Sequence, residues 1–341
     1  MISFESDYNN GACPQVLEKL IATNGEVQSG YLTDDYCRSA REKISEACGA
    51  KDAQIYFAVG GTQANALVIG SMLKNFECVM AAKTGHISLH EGGAIEFTGH
   101  KVQELGQKDG KVQAAELRQY LELFYADENN EKMCFPGMLY ISHPTEYGTL
   151  YTKAELTELS EICHKYGMQL FLDGARLGYG LAARNTDVTL KDIYRLTDVF
   201  YIGGTKVGAL CGEAIVFTKH NMPERFDTVS KQRGVMIAKG RLLGCQFDAL
   251  FTDDTYMKIS RHAIDMAEKI RELFTSRGYR MFIDSPTNQQ FVILDNKKLE
   301  ELRPKVGFCF WEKYDEEHTV VRFASSWSTT EEELEYLASI I

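Results

Sequence analysis

No apolar run in this sequence approaches the roughly 20 residues that a helix needs to cross a bilayer, so no membrane segment is expected. The first residues, Met1-Ile2-Ser3-Phe4-Glu5-Ser6-Asp7, lack a basic stretch followed by an apolar one, and a secretory leader is therefore not expected either. Nine cysteines are scattered without a CxxC or any close pairing, a pattern of reduced thiols rather than a disulfide frame, which places the expected site of action in the cytoplasm. Positive charge is in deficit. The formal net charge of -11 excludes a general nucleic-acid binder, whose phosphate contacts need a basic surface. There is no internal repeat, low-complexity tract or long linker, and neither a GxGxxG nor a Walker loop.

What is present is ordinary for a folded protein: 341 residues, 44% hydrophobic and 25% charged, long enough for about two domains. Short apolar runs at Gln54–Val59, Cys78–Ala82, Met138–Ser142, Gln169–Asp173, Asp198–Ile202 and Ala214–Phe217 read as buried strands. Helical spacing separates them after Thr62, at Ala114–Tyr125 and at Lys153–Tyr166. Such alternation predicts an α/β fold with a mostly parallel sheet and right-handed crossovers, whose ligands sit beyond the carboxyl ends of the strands. Two long helices are expected over Glu224–Leu250 and Tyr256–Ser276. Strands at Phe291–Leu294, Val306–Trp311 and Val320–Ala324 follow, and a helix at Thr330–Ile341 closes the chain. The expected division is a large domain over 1–252, including the N-terminal segment, and a smaller α/β domain over 253–341.

Three strand ends carry chemistry. Gln54–Val59 stops at Gly60-Gly61-Thr62-Gln63-Ala64-Asn65, where glycines allow close backbone approach and a helix N-terminus offers free N–H groups to a phosphate. An ordinary strand-to-helix turn reads the same way. Gln169–Asp173 ends in Asp173-Gly174-Ala175-Arg176. Its carboxylate can keep a pyridine nitrogen protonated, or can simply cap a loop and pair with Arg176. Asp198–Ile202 ends in Gly203-Gly204-Thr205-Lys206, whose lysine can reach inward as a nucleophilic amine or remain a solvated loop residue. Phosphate cradle, pyridinium partner and amine together describe a site for pyridoxal 5'-phosphate (PLP), held as a Schiff base on Lys206.

Further candidates surround these. His86 follows another strand end and can stack on a cofactor ring or move a proton. With His90 it makes an HxxxH, but no glutamate follows the first histidine and no third ligand is evident, so no metal is expected and His90 reads as structural. Arg322 stands in an apolar strand, where a charge needs a partner: a substrate carboxylate, or an internal salt bridge.

In order along the chain, Ser6-Asp7 with Gly11 and Pro14, Gly61-Thr62-Gln63-Ala64-Asn65, Gly85-His86, Asp173-Gly174-Ala175-Arg176, Gly204-Thr205-Lys206 and the Arg322 strand resemble the low-specificity L-threonine aldolases. These are β-eliminating lyases of PLP fold type I, with a seven-stranded, mostly parallel sheet and a smaller C-terminal domain. The resemblance implies Lys206 as the cofactor lysine, Asp173 at the pyridine nitrogen and His86 over the ring. It puts Gly60, Gly61 and Thr62 at the phosphate, and Ser6, Arg176 and Arg322 at the substrate carboxylate. It also implies a homodimer or homotetramer sharing active sites, with Tyr31 and a basic residue such as Arg233 or Lys239 lent across the interface. Where the familiar aldolases carry Thr-His-Asn, this chain has Ser142-His143-Pro144-Thr145-Glu146, which puts Glu146 in the histidine's place. Lys206 is followed by Val207, where a small or polar residue is usual. The implied reaction is cleavage of a β-hydroxy-α-amino acid to glycine and an aldehyde, with His86 or Glu146 as base. β-Elimination or transamination on the same scaffold, and a binding protein that has lost catalysis, are the alternatives. A nicotinamide-dependent Rossmann enzyme is more distant, for want of a dinucleotide fingerprint.

Overall fold

A computed structural model describes residues 2–51 and 53–341. Seven strands form the main sheet in the spatial order Gln54–Ala58, Glu213–Phe217, Val199–Gly203, Gln169–Asp173, Phe135–Ser142, Glu77–Ala82 and Val102–Leu105. Six run in one direction, and Glu213–Phe217 runs antiparallel to both its neighbours. Every residue of Val199–Gly203 and Glu213–Phe217 is buried, as expected for central strands covered on both faces. The polar run Val102–Leu105 is an edge strand with one buried residue, too short and too solvated to stand out in the sequence.

The direction of Glu213–Phe217 decides what reaches the site. The carboxyl ends of the six parallel strands lie along one edge of the sheet. An antiparallel strand brings its first residue to that edge, so Glu213 pairs with Gly203 on one side and Ala58 on the other.

The C-terminal part carries a four-stranded antiparallel sheet in the order Cys309–Lys313, His318–Ala324, Gln289–Asp295 and Arg280–Met281. The helices Thr255–Ser276 and Glu331–Ile340 pack over it, and Phe274, Val321, Phe323 and Leu337 lie in their shared core. Ile2–Ser3 pairs in parallel with Val306–Gly307, and Phe4 joins that same core. Backbone bonds from Phe4 N to Gly307 O and from Ala324 N to Phe4 O, both 2.8 Å, clamp the N-terminal segment beside this small sheet. Ser6, Asp7 and Tyr8 follow immediately.

Two expected elements are broken. The stretch Glu224–Leu250 is not one helix but two, Phe226–Gln232 and Arg241–Leu250. Gly234 between them takes φ +69, and Gly240 sits so close to Leu32 that a Cβ would lie 2.4 Å from its backbone nitrogen. Val306–Trp311 is likewise split into Val306–Gly307 and Cys309–Lys313, with a bulge between Phe310 and Glu312. No helix among the described residues is long and apolar enough to cross a membrane.

Candidate active site

The three strand ends meet. Gly60, Gly61, Thr62, Asp173 and Lys206 line one cavity of about 270 Å³ at the carboxyl edge of the main sheet. A second cavity of about 530 Å³ adjoins it, bounded by Arg322, Trp311 and His90. Tyr8, His86, Glu146, Arg176 and Lys206 border both.

Lys206 leaves the buried strand Val199–Gly203 through Gly204 and Thr205. Its backbone carbonyl accepts from the Tyr179 hydroxyl at 2.5 Å, which anchors the turn. The side chain is half-buried, its Nζ lies 5.9 Å from the centroid of the Tyr8 ring, and no hydrogen bond to a described residue holds it. Burial, helped by the nearby Arg176 charge, lowers its pKa against the pull of Asp7, Asp173 and Glu213. A lysine whose proton is loosened is a better nucleophile. Val207, unusual by resemblance, is fully buried and acts as a core anchor.

Asp173 is buried and well served. Oδ2 accepts from the Tyr140 hydroxyl and from Asn65 Nδ2 at 3.1 Å, and Oδ1 accepts from Ala175 N at 2.9 Å. Burial opposes its charge, but the nearby His86 and the bonds from Tyr140, Tyr201 and Ala175 outweigh this and hold the carboxyl below the usual range. Asp173 therefore stays anionic, as a partner for a protonated ring nitrogen must. Arg176 is not its partner.

At the helix Gly61–Met72, Ala64 N is bonded back to Gly60 O at 3.0 Å. The N–H groups of Gly61, Thr62 and Gln63 thus have no acceptor within the helix. A Cβ on Gly60 would meet nothing within 4 Å, so this wall of the cavity is open. Orphan donors at a helix start suit a phosphate.

His86 is fixed from two sides. Its backbone N–H donates to Glu146 Oε1 at 2.9 Å, and its ring Nδ1 lies 2.9 Å from Glu91 Oε1. Glu91 also accepts from Asn65 Nδ2 at 2.7 Å, so a chain of polar groups runs from His86 through Glu91 and Asn65 to Asp173. Glu146 Oε1 accepts from Ser142 Oγ at 2.6 Å. Burial, with the Asp173 charge adding to it and the Ser142 bond opposing it, raises the proton affinity of Glu146. His143 takes no part: it is fully buried against Tyr151, and burial pushes its imidazole down to about 4.

The two arginines differ. Arg176 grips Asp7 with both arms of its fork, Nε to Oδ2 at 2.6 Å and Nη2 to Oδ1 at 2.9 Å, and Asn288 Nδ2 donates to the same carboxylate at 2.9 Å. Arg322 has no ion pair among the described residues. It donates to Gln289 Oε1 at 3.0 Å and to the Glu5 backbone oxygen at 2.8 Å, and its buried Nε has no partner. The internal salt bridge left open by the sequence is absent among the described residues, and Arg322 remains able to take a carboxylate.

Ser6 is half-buried on the segment between the Glu5 carbonyl and Asp7 but lines neither cavity. Tyr31 is also outside both. It lies 48% exposed with φ 55, its N–H bonded to Ala238 O at 3.0 Å and Lys231 Nζ 4.6 Å from its ring centroid. Arg233 donates to Ala66 O and Gly70 O, along the flank of the Gly61–Met72 helix, and Lys239 is exposed. His90, read as structural, stands on the wall of the outer cavity.

Sequence reasoning missed Glu213, Glu91, Tyr140 and the role of Asp7. Only Asp7 gave a signal, as part of Ser6-Asp7; Glu213 and Tyr140 needed the sheet order, and Glu91 the turn that follows His86–Leu89.

An amine without a partner, an anionic buried carboxylate and a set of orphan N–H donors are complementary to the aldehyde, ring nitrogen and phosphate of PLP, so the residues present fit the cofactor. The comparisons agree. The model of the family described as beta-eliminating lyase matches residues 3–296. The low specificity L-threonine aldolase of Pseudomonas aeruginosa is 29% identical over 338 residues, covering 98% of this chain and 95% of its own. A solved threonine aldolase from Leishmania major is 38% identical with a TM-score of 0.96, covering 100% of this chain and 98% of that one. A Thermus thermophilus aspartate aminotransferase mutant, 15% identical, has a TM-score of 0.72 over 100% of this chain and 92% of its own, which shows the shared fold-type I architecture alone. The chain belongs to the β-eliminating lyase family and is a PLP-dependent lyase.

Proposed function

We propose that the chain cleaves a β-hydroxy-α-amino acid of the threonine or allo-threonine type to glycine and an aldehyde, with Lys206 as the lysine that holds PLP. The observation that carries this reading is the meeting of Lys206, Asp173 and the Gly60–Thr62 turn in one cavity. When bound, PLP supplies an electron sink for the bond that breaks at Cα. The protein's part is to orient the substrate and move protons. Arg322 holds the substrate carboxylate, since its guanidinium lacks a counter-charge and borders the outer cavity. Arg176, tied to Asp7, forms the wall behind it and adds positive potential rather than a free fork. His86, steadied by Glu91, covers the ring face. Glu146 takes the β-hydroxyl proton, because burial raises its proton affinity and it borders both cavities. Supplied with threonine, the enzyme yields glycine and acetaldehyde. Ammonia and a keto acid as the main products would instead assign it to elimination.

Two substitutions separate these roles. Arg322→Lys keeps the charge but loses the fork, and raises KM about tenfold or more while kcat changes less, as loss of a charge-assisted hydrogen bond predicts. Glu146→Gln keeps the shape but cannot take a proton. It lowers kcat by roughly 10²–10⁴ with KM little changed; an unaltered kcat removes Glu146 from the proton path.

The reading includes a homodimer or homotetramer. Tyr31 lies outside its own cavities, and the apolar side chains of Leu17, Ile21, Val27 and Leu242 are exposed. Tyr31 with a neighbouring base, Lys231 rather than Arg233 by position, is offered to a second copy. Light scattering that returns the mass of one chain would remove this part.

A further inference from the structure

The cavity holds a charged side chain that the proposed reaction leaves unused. Glu213 opens the one antiparallel strand of the main sheet and is only 3% exposed. It lines the same cavity as Lys206 and Asp173. Its carboxyl is held by the turn that carries the lysine: Thr205 Oγ1 donates to Oε1 at 2.8 Å, and Gly204 N lies 3.3 Å from Oε2. Thr205 Oγ1 in turn accepts from Gly212 N at 3.0 Å, so the start of the Glu213 strand and the lysine turn are stitched together. The rest of the strand, Ala214–Phe217, is apolar, and a carboxyl at its head is costly unless it answers something in the cavity.

We propose that Glu213 is a positioning residue whose carboxyl, held by the Thr205 turn, faces Lys206 across the cavity as its countercharge and so sets the charge on the nitrogen that carries the cofactor. This rests on the assignment of Lys206 made above and adds to it. The titratable groups facing Glu213 are few. Lys206 and Asp173 act on it across the cavity, and it bears on the Tyr201 and Tyr256 hydroxyls from the flanking elements. Asp7 and Arg176 reach Lys206 from the other side, with opposite signs.

Burial pushes the Glu213 carboxyl up to about 8, with the Asp173 charge adding to it and Thr205 and Lys206 opposing. Glu213 and the lysine nitrogen each favour the other's charged form, so while the nitrogen keeps its proton the Glu213 carboxyl is the more readily ionised and stands beside it as a countercharge. The couple buffers the site against alkali: the nitrogen keeps its proton to higher pH than it would beside a neutral group. Glutamine is the isostere that cannot do this.

The test uses the full-length holoenzyme without substrate. Its visible absorbance, which reports protonation of the nitrogen joining PLP to the lysine, is followed against pH. In Glu213→Gln the midpoint falls by about one pH unit, the effect of removing one nearby opposite charge. Thr205→Val removes the hydroxyl that donates to Oε1 and favours the carboxylate, and moves the midpoint in the same direction by less. Loss of a merely structural group would change stability and leave the midpoint in place. Unchanged midpoints in both variants, with a normal spectrum in the parent, would overturn the role of Glu213 alone. A parent protein with no lysine-bound cofactor band would overturn the Lys206 assignment and this proposal with it.

Discussion

Lys206→Ala loses aldol cleavage by at least about a thousandfold, because it removes the amine proposed to hold the cofactor. Nothing near can replace it. The side chains that border the inner cavity with it are acids, an arginine, a histidine, hydroxyls and small groups, so Lys206 is the only amine there among the described residues. The substitution opens a space but leaves the buried anchors of the turn, Val207 and the Tyr179 bond to the backbone, in place. Circular dichroism should therefore be that of the parent. A folded Lys206→Ala protein that still cleaves threonine at an undiminished rate would contradict the proposed chemistry at its root.

Asp173→Asn lowers kcat by roughly 10²–10³, the usual cost of removing one preorganised charge from a developing transition state. The amide has a single acceptor oxygen. Placed toward Tyr140 and Asn65 it keeps those bonds, while its NH2 then faces the Ala175 N–H, so the variant loses the charge and one backbone bond with little change of shape. An arrangement that lowers the pKa of a buried carboxyl against its own desolvation is one that maintains an anion, and this anion faces the cavity in which the ring is proposed to sit. Steady-state kinetics give the magnitude. Cofactor retention on a desalting column adds a second readout, since a ring nitrogen deprived of its partner binds less tightly. A variant with unchanged kcat would mean that Asp173 serves the fold through Tyr140 and Asn65 and not the ring.

Much of this site was legible because its parts stand at the ends of apolar runs. Asp173 ends one short buried strand and Lys206 follows another, and the Gly60–Thr62 turn stands between a strand and a helix. Sequence shows such boundaries directly. It does not show strand direction, and Glu213 was hidden for that reason: as the residue before an apolar run it looks like a loop residue on the far edge of the sheet. Antiparallel pairing with Gly203 and Ala58 moves it into the site. Asp7 was obscured by a different cause. The segment that carries it is placed by pairing with Val306–Gly307, some 300 residues away in the chain. That pairing lets Asp7 take the fork of Arg176, which the sequence had offered either to Asp173 or to the substrate. The broken helix at Glu224–Leu250 shows the limit of periodicity. Apolar spacing continues across Gly234 and Gly240, while the first takes a positive φ and the second is pressed against Leu32.

The most direct measurement is borohydride reduction of the protein as purified with PLP, followed by digestion and mass mapping of the modified peptide. The account predicts a single reduced pyridoxyl adduct, on Lys206, in the peptide that begins after Arg195 when cleavage is at arginine alone. An adduct on any other lysine, or none at all, would contradict it.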